Sequence, residues 1–460
     1  LGGVISTFLA DPSRRSAESG DLLPSPGQAG IPGSEAIPQS IIVLPFDNLS
    51  PDPSDSYFSD GLTEELITKL SRLSSLRVIS RRSAMALKGT DKDVGTIGRD
   101  LNVQHVLVGS VRKAGNDLRI TAQLIDPETD SHLWAENYDG VLNDVFRIQE
   151  TVASAIVHAL NLTLTGAEKD RISHRPIDNV QAYDCLLRAR QEIWRWTPDG
   201  LANATRHLQN GIRIIGENAD LLFGLGNVQF QYVNAGFKVG EEAEEALEQA
   251  GFYAADIFRL HPDSAQGHCL LGLVAWQRGR PRDVVNHMKA ALARDAGNSD
   301  ALWFLGLALA QAGRVEAARP LFLQLKERDP LAPLSHASEA YTYQAEGRFQ
   351  LSTAHYRRAF DMDPDDPFLR VLMGYAYLLE GSAEEAEELF ESVSSGSPTN
   401  VVQWIGSLYS AAMRGDRDAV RQLEIAEFSV TARRIAVYSL WLAELYALLN
   451  EPDNAIPWLE

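Results

Sequence analysis

Side chains that build disulfide frameworks, metal sites or nucleic-acid grooves are scarce in this chain of 460 residues. It has 2 cysteines and 10 histidines, and 62 acidic residues outnumber 42 basic ones, for a formal net charge of −20. Two cysteines are too few for a disulfide framework or a cysteine-rich zinc site, so Cys185 and Cys269 are predicted to be buried free thiols. An acidic surface argues against direct nucleic-acid binding, which relies on basic contacts to phosphate.

The sequence motifs of common enzyme sites are also missing. No Gly-x4-Gly-Lys-Ser/Thr phosphate loop, His-Glu-x-x-His helix or Gly-x-Ser-x-Gly elbow occurs, and the histidines show no ligand spacing. Asp60, Glu64 and Glu65 cluster near the start of a predicted helix that Ser59 or Asp60 would cap. Stabilisation by the helix dipole explains these carboxylates better than acid–base catalysis does. We therefore predict no catalytic residue, no metal site and no cofactor.

A long hydrophobic run is lacking at the amino terminus. Leu1–Ala10 is apolar, but it is half of the roughly 20 residues that a membrane span needs, and the Pro-, Gly- and Ser-rich stretch up to residue 38 is typical of a flexible linker. The chain begins with Leu1 instead of methionine, and its last helical pattern stops at Glu460, so we expect a piece of a longer protein. In that protein Leu1–Ala10 would be the end of a membrane span or, alternatively, a disordered leader.

Glycine recurs at a constant step of about 34 residues, the length of a tetratricopeptide (TPR) repeat. Glycine suits the turn between two antiparallel helices because it adopts positive φ without strain. We predict an all-α TPR superhelix (an α-solenoid) over residues 166–460, with two irregular helix pairs, regular repeats at about 265–428 and a truncated last repeat. The periodic glycines are Gly279, Gly313, Gly347, Gly381 and Gly415.

Between residues 39 and 165 the pattern is that of an α/β domain with a mixed sheet. Ile41–Phe46 is a continuous apolar run, typical of a strand buried on both faces. The alternating runs Val103–Arg112 and Leu118–Ile125 flank a Gly-Asn-Asp turn and predict a hairpin. His132–Tyr138 predicts the last strand, and Val145–Leu164 predicts a helix that leads to the repeats.

One local cluster of basic residues interrupts the acidic composition of this domain. Its members are Arg77, Arg81, Arg82, Lys88 and Lys92. We interpret it as a solvated patch, with a phosphate or partner contact as the alternative.

Two segments of the α/β domain carry a resemblance to a known family. Val43–Ser50 (VLPFDNLS) followed by Tyr57–Leu66 (YFSDGLTEEL) resembles the TolB amino-terminal-like domain, and the resemblance continues through Val106–Arg112 and His132–Glu136. In that family TPR repeats follow the domain, and an effector precedes it: a class III adenylate cyclase, a CadC-like DNA-binding domain or a Ser/Thr kinase. The resemblance implies a non-enzymatic sensory or scaffold region of a bacterial signalling protein.

Two alternatives stay open within this resemblance. The chain would be the C-terminal regulatory part of a class III adenylate cyclase, or part of a membrane-tethered, CadC-like transcriptional regulator. The family context implies a tether to the inner membrane with this part extracytoplasmic. A cytoplasmic location is the alternative, and Arg14 and Arg15 after the apolar run would favour a cytoplasmic flank.

The expected partner is a protein or peptide held in the concave groove of the repeats, which the first helix of each pair lines. Exposed aromatic side chains are typical anchors for such partners, and the alternative is that these rings pack between neighbouring helices. The groove lacks basic residues that would hold a peptide carboxylate, so an apolar or helical partner is expected, and the sequence identifies no small-molecule ligand. The predicted anchors are Trp276, Trp303, Tyr341, Phe368, Tyr375 and Tyr409.

Overall fold

The computed structural model describes residues 39–73, 75–173, 175, 177–423 and 426–459, and the statements below refer to these. The predicted membrane end and linker (residues 1–38) lie outside the described residues. The chain folds into an α/β domain followed by helices in a TPR-like arrangement, as predicted. The domain's strands and helices are β1 (Gln39–Val43), β2 (Asp47–Asn48), α1 (Ser56–Ser71), β3 (Leu76–Val78), α2 (Arg81–Met85), α3 (Val94–Leu101), β4 (His105–Ala114), β5 (Asp117–Asp126), β6 (Ser131–Val141) and α4 (Val145–Ala159).

The sheet is mixed, with the strand order β3-β1-β4-β5-β6, and the short β2 pairs with β4. Strand β1 pairs in parallel with β3 and β4, whereas β4, β5 and β6 form an antiparallel meander. Ile41, Ile42 and Val43 have no exposed surface, as expected for a central strand covered on both faces. The predicted hairpin is present: Ala114 pairs with Asp117 across a turn in which Gly115 has φ +62°.

Helix boundaries differ from the sequence prediction at two places. Helix α1 begins at Ser56, so Ser59 and Asp60 lie inside the helix and do not cap it. The Asp55 carboxylate before this helix instead pairs with Lys113 at 2.8 Å. Helix α4 ends at Ala159, five residues before the predicted end, because Asn161 adopts left-handed backbone geometry (φ +51°).

Beyond the α/β domain the described chain is helical, and consecutive helices from Val180 onward form pairs joined by short loops. The helices are α5 (Gly166–Ser173), α6 (Val180–Ile193), α7 (Pro198–Ile215), α8 (Ala219–Asn234), α9 (Gly240–Leu260), α10 (Ala265–Gln277), α11 (Pro281–Arg294), α12 (Ser299–Gln311), α13 (Val315–Arg328), α14 (Pro333–Ala345), α15 (Phe349–Met362), α16 (Pro367–Glu380), α17 (Ala383–Val393), α18 (Val401–Met413), α19 (Arg417–Gln422), α20 (Ala426–Arg434), α21 (Ala436–Leu448) and α22 (Pro452–Ala455).

All five periodic glycines lie in inter-helix turns with positive φ, between +64° at Gly279 and +99° at Gly381. This confirms the role that the sequence predicts for them. Close packing between paired helices explains why some glycines also occur inside the helices of the repeats. A Cβ on Gly306 would overlap the ring of Phe322, so only glycine lets helices α12 and α13 approach this closely.

The regular pattern ends earlier than predicted. Helix α19 is short, and the additional helix α20 separates it from the last pair, so the last regular repeat ends at Gln422 and not near residue 428. Helix α20 reaches back across the superhelix to its early part. Arg434 forms an ion pair with Glu244 on α9 at 3.4 Å, and a Cβ on Gly279 would overlap the carbonyl oxygen of Arg434. The superhelix thus curves tightly enough to contact itself.

Candidate functional site at the junction of the two units and inside the superhelix

Helix α1 of the α/β domain packs directly on α6, the first helix of the paired repeats. Gly61 is so close to Leu187 that an added Cβ would overlap the leucine side chain. Tyr57 is 2% exposed, and its hydroxyl donates a hydrogen bond to Asp184. The same hydroxyl accepts one from Arg188 at 2.9 Å, while the Arg188 guanidinium lies 4.1 Å from the Tyr57 ring centroid. We call this contact the first seam.

Charged side chains extend the first seam along α1. Arg190 on α6 pairs with Glu65 at 2.8 Å and with Glu64 at 3.3 Å, and Glu64 also pairs with Arg81 at 2.6 Å. Burial lowers the pKa of Arg190, but the neighbouring Glu64 and Glu65 carboxylates raise it overall. These glutamates were predicted to be held by the helix dipole. The structure corrects this interpretation, because they lie beyond the first turn of α1 and form ion pairs between the two units.

A second seam lies at the loop that joins α13 to α14. The Asp329 carboxylate is 4% exposed and accepts hydrogen bonds from the hydroxyls of Ser80 and Ser83 and from the Ser83 backbone N–H at 3.1 Å. The Ser83 hydroxyl accepts a bond from the Leu331 N–H at 2.9 Å. A residue of the repeats therefore helps to cap the N-terminus of α2 in the α/β domain.

The predicted solvated basic patch is contradicted in part by these seams. Arg77 donates hydrogen bonds to the backbone carbonyls of Asn102 and Glu327, and the Arg81 guanidinium lies 4.5 Å from the ring centroid of Trp194 in the repeats. Both side chains belong to the contact between the α/β domain and the repeats. The reason is that the superhelix returns to this domain, which no local sequence pattern shows.

Two of the six predicted groove anchors are buried. Tyr375 and Tyr409 are 2% and 0% exposed, and their rings make an edge contact with centroids 6.4 Å apart. The Tyr409 ring also stacks on the Phe390 ring, with their centroids 4.7 Å apart. The Tyr409 hydroxyl donates a hydrogen bond to the Trp441 carbonyl at 2.7 Å. The structure therefore corrects the prediction of exposed anchors at these positions, because α21 packs against the faces of α16 and α18 that carry them.

The other four predicted anchors are half-buried. The ring centroid of Trp276 lies 5.2 Å from that of Phe304, and the centroid of Trp303 lies 6.1 Å from that of Phe322. Tyr341 packs partly against the core that Trp276 and Trp303 also contact, and Phe368 packs partly against the next core along the superhelix. Burial raises the pKa of Tyr341 to about 12. Each of these side chains thus fills a gap between helices and leaves one edge open.

A carboxylate occupies the next position of the tyrosine series. Glu444 follows Tyr409 one residue beyond the step of about 34 residues. Tyr375 donates a hydrogen bond from its hydroxyl to the Glu444 carboxylate. Burial raises the pKa of Glu444 to about 7, although the bond from Tyr375 acts in the opposite direction. A titratable group therefore lies inside the superhelix.

Sequence reasoning missed an exposed tryptophan pair in the loop between α6 and α7. Trp194 and Trp196 are 48% and 51% exposed, and the Arg81 guanidinium lies 4.5 Å from the centroid of the Trp194 ring. Trp196 has φ +51°, a sparsely populated region for a bulky side chain and one that recurs at functional sites. The pair lies outside the periodic repeats, and the signal that could have shown it is the Trp-Arg-Trp run before Thr197 and Pro198.

Chemically reactive groups are few in the part of the chain that the structure describes. Among these residues no group of three or more His, Cys, Asp and Glu side chains is placed to hold a metal ion. Cys185 is half-buried, Cys269 is buried, both thiols are free, and burial raises the pKa of each. No described helix combines the length and the apolar composition that a membrane crossing requires.

Two family models match the chain. The tetratricopeptide repeat model matches residues 269–333 and 338–400, which confirms the predicted repeats. The model of the HilA/YgeH-like transcriptional regulators, second domain, matches residues 38–155 and so covers most of the α/β domain. The resemblance of this domain to TolB stays a prediction.

Two curated relatives cover about half of the chain each. "Putative adenylate cyclase 3" of Rhizobium meliloti (strain 1021) is 40% identical over 241 residues, which are 52% of this chain and 40% of that protein. "Cellulose synthase operon protein C" of Pseudomonas fluorescens (strain SBW25) is 27% identical over 221 residues, 46% of this chain and 17% of that protein. The chain thus spans less than half of the length of either relative.

Solved structures resemble the chain only loosely. The human IFIT1 dimer with m7Gppp-AAAA is 14% identical with a TM-score of 0.43, and the match covers 68% of this chain and 76% of that one. A tetratricopeptide repeat protein from Parabacteroides merdae is 13% identical with a TM-score of 0.38, covering 60% and 100%. TolB from Acinetobacter baumannii is 18% identical with a TM-score of 0.21, covering 27% and 28%. The TPR-like architecture therefore rests on the helix pairs of this chain and on the repeat model.

Proposed function

We propose that this chain is a non-enzymatic regulatory region of a bacterial signalling protein, with a TolB-like α/β domain and repeats that bind a protein partner. The observation that carries the proposal is the 40% identity with "Putative adenylate cyclase 3", which covers 40% of that protein. TPR repeats indicate binding of a protein partner, and the regulated activity would belong to an effector in the same protein. The most specific form is the regulatory part of an adenylate cyclase.

The two seams fix how the α/β domain sits on the repeats. The domain is held by α6 on one side and by Asp329 on the other. Binding would therefore act on both units as one body. The exposed pair Trp194 and Trp196 lies on the surface at the junction of the two units, where Trp194 contacts Arg81 of the α/β domain. Tryptophan and arginine are over-represented among residues that dominate binding energy, so we place the partner contact there.

The test is capture of a partner from the source bacterium by the full chain, followed by titration of the identified partner. Trp194→Ala combined with Trp196→Ala should weaken affinity by at least about tenfold, since such anchors are worth more than about 1–2 kcal/mol. Phe252→Ala on α9 is the matched control, because it removes an aromatic ring that is 62% exposed and distant in sequence from the seam. Equal affinity of the double variant and the wild type would refute the proposed contact.

The match to the HilA/YgeH-like regulators over residues 38–155 favours a second candidate, a membrane-tethered transcriptional regulator. The full-length natural protein separates the two. Cyclic AMP formation in a cyclase-deficient strain would support the first candidate, and sequence-specific retardation of promoter DNA would support the second.

The location at the inner membrane with this part extracytoplasmic is also a proposal, and a cytoplasmic location is its alternative. A fusion of alkaline phosphatase to the end of the full-length protein tests it. This enzyme is active only outside the cytoplasm, so an inactive fusion that is expressed at normal levels would contradict the extracytoplasmic placement.

A further inference from the structure

Two histidines face each other across the helix pair α10 and α11. The Nδ1 atom of His268 on α10 lies 3.2 Å from the Nδ1 atom of His287 on α11, and their ring centroids are 5.5 Å apart. The two residues are 19 positions apart in the sequence, so antiparallel packing of the helices brings them together, and the short spacing motifs of metal sites do not show them. Both residues are half-buried, so solvent reaches part of each.

The separation of the two nitrogen atoms fits a shared metal ion. Zinc–nitrogen bonds are about 2.0–2.1 Å long, so two imidazole nitrogens on one ion lie about 2.9–3.4 Å apart at coordination angles of about 90–110°. A direct N–H···N hydrogen bond also allows 3.2 Å, but at the long end of its usual range. Imidazole suits zinc, copper and nickel, whereas magnesium prefers oxygen ligands.

The charges around the two rings are compatible with a cation. Burial lowers the pKa of both imidazoles, and Arg294 lowers that of His268 further, so the neutral, coordinating form is favoured. The Arg294 guanidinium is itself paired with Asp263, with its Nε 2.5 Å from the carboxylate, which offsets its charge. Asp283 acts on His287 from one turn earlier on α11. The formal net charge of −20 also attracts cations to the protein.

We propose that His268 and His287 bind one divalent ion of the zinc, copper and nickel class through their Nδ1 atoms, with water in the remaining coordination positions. Each ring would turn slightly so that both lone pairs point at the ion. Because the protein supplies two ligands, the site is weaker and more exchangeable than a four-ligand structural zinc site. The ion would clamp α10 to α11, the pair whose turn at Gly279 meets the Arg434 carbonyl on α20.

A second histidine pair in the same chain gives a matched comparison. His336 on α14 and His355 on α15 occupy the same repeat positions two repeats later. There the Nε2 atom of His336 lies 2.8 Å from the Pro330 carbonyl oxygen, and the Nδ1 atom of His355 lies 3.1 Å from the Glu339 carboxylate. Each of these rings already faces another polar group, so we expect this pair not to share an ion.

Calorimetric titration of the full chain with Zn²⁺, without a histidine tag, tests the site. The wild type should bind one ion that His287→Ala binds at least about tenfold more weakly, since even an outer-shell partner of a metal ligand contributes about 10–100-fold. His336→Ala combined with His355→Ala is the matched control and should bind like the wild type. Unchanged affinity in His287→Ala, an equal loss in the control, or equally tight binding of Mg²⁺ would overturn the proposal.

Hydrogen exchange of the wild type tests the clamp without any substitution. An ion that binds only the folded helix pair stabilises it, so saturating Zn²⁺ should slow amide exchange in α10 and α11. The same addition should leave exchange in α14 and α15 unchanged, and His268→Ala should abolish the effect. Absence of zinc-dependent protection in the wild type, or protection that is equal in α14 and α15, would refute the site even if the alanine variants fail to fold.

Discussion

Glu444 illustrates how one residue changes the chemistry of a repeated position. Tyr375 and Tyr409 bury rings at this step of the repeat, whereas Glu444 brings a carboxylate into the same interior and receives a hydrogen bond from Tyr375. Burial favours the protonated form, so its pKa rises from an ordinary value of 4.5 to about 7. The folded state therefore takes up a proton at this site within the physiological pH range.

The raised pKa of Glu444 makes stability depend on pH. The folded state binds this proton more tightly than the unfolded state, so the contribution is fully present below about pH 4.5 and is lost as pH rises through about 7. Glu444→Gln imitates the protonated form, so at pH 8 we expect it to be more stable than wild type by up to about 3 kcal/mol, and at pH 4.5 nearly equal. Urea unfolding at both pH values measures the difference.

Glu384→Gln on α17 is the control for this comparison, because it neutralises an exposed carboxylate. It should leave the difference from wild type the same at both pH values. A Glu444→Gln variant that is destabilised equally at pH 4.5 and pH 8 would show that the carboxylate is not held in its protonated form.

For single residues, the sequence predicts the spacing of the aromatic side chains better than it predicts how far they are exposed to solvent. The spacing of Tyr341, Tyr375 and Tyr409 is the same whether the rings line a groove or fill the space between helices. Exposure depends on the curvature of the superhelix, which brings α21 against Tyr375. The ring centroids of Tyr375 and of Trp441 on α21 lie 5.2 Å apart. Curvature results from many small contacts between neighbouring repeats, and no single motif encodes it.

The inter-helix turns are alike in sequence but differ in their surroundings. Gly279 and Gly313 both have positive φ, at +64° and +71°. Nothing lies within 4 Å of a Cβ built on Gly313, whereas one built on Gly279 would overlap the carbonyl oxygen of Arg434. The first turn is therefore also part of the contact by which α20 reaches the early repeats.

Paired alanine substitutions separate these two roles. Gly313→Ala should cost about 1–2 kcal/mol, the strain of a side chain at positive φ. Gly279→Ala should cost a further 1–3 kcal/mol or so, because the Arg434 backbone has to move. Hydrogen exchange in α20 should accelerate in Gly279→Ala alone, and equal exchange in both variants would show that α20 is not held by this turn.

Local signals predicted the elements of the α/β domain well. The hairpin of β4 and β5 was found nearly to the residue, because turn chemistry and alternation act over a few positions. The start of α1 was missed since its preceding turn is stabilised by Lys113 from a distant strand. The cap that Asp329 provides to α2 was beyond any local pattern, because it comes from a residue 246 positions away.

For the molecule as a whole, the order of the two units followed from the sequence, but their contact did not. Asp329 provides the matched test, since Asp363 occupies the same position one repeat later and is exposed. Asp329→Ala removes the acceptor of the Ser80 and Ser83 hydroxyls and leaves the Ser83 N–H with only its 3.3 Å bond to the Ser80 hydroxyl, so it should cost about 2–4 kcal/mol. Asp363→Ala should change stability by less than about 0.5 kcal/mol.

Calorimetry shows whether the second seam couples the two units. The wild type should unfold in one transition, and Asp329→Ala should broaden or split it because only the first seam then joins the α/β domain to the repeats. A variant that melts at lower temperature but in one transition with the wild-type ratio of calorimetric to van't Hoff enthalpy would indicate that the first seam is sufficient.

The second seam also restricts how the repeat array can change in length. Most solenoids gain or lose a repeat with little consequence, because each unit contacts only its neighbours. Here the chain leaves the α/β domain at α6 and meets it again at Asp329, so the helix pairs between them form a closed circuit. Inserting or deleting one pair inside this circuit would shift Asp329 away from Ser80 and Ser83. The count of repeats between α6 and α13 is therefore a property that the α/β domain itself constrains.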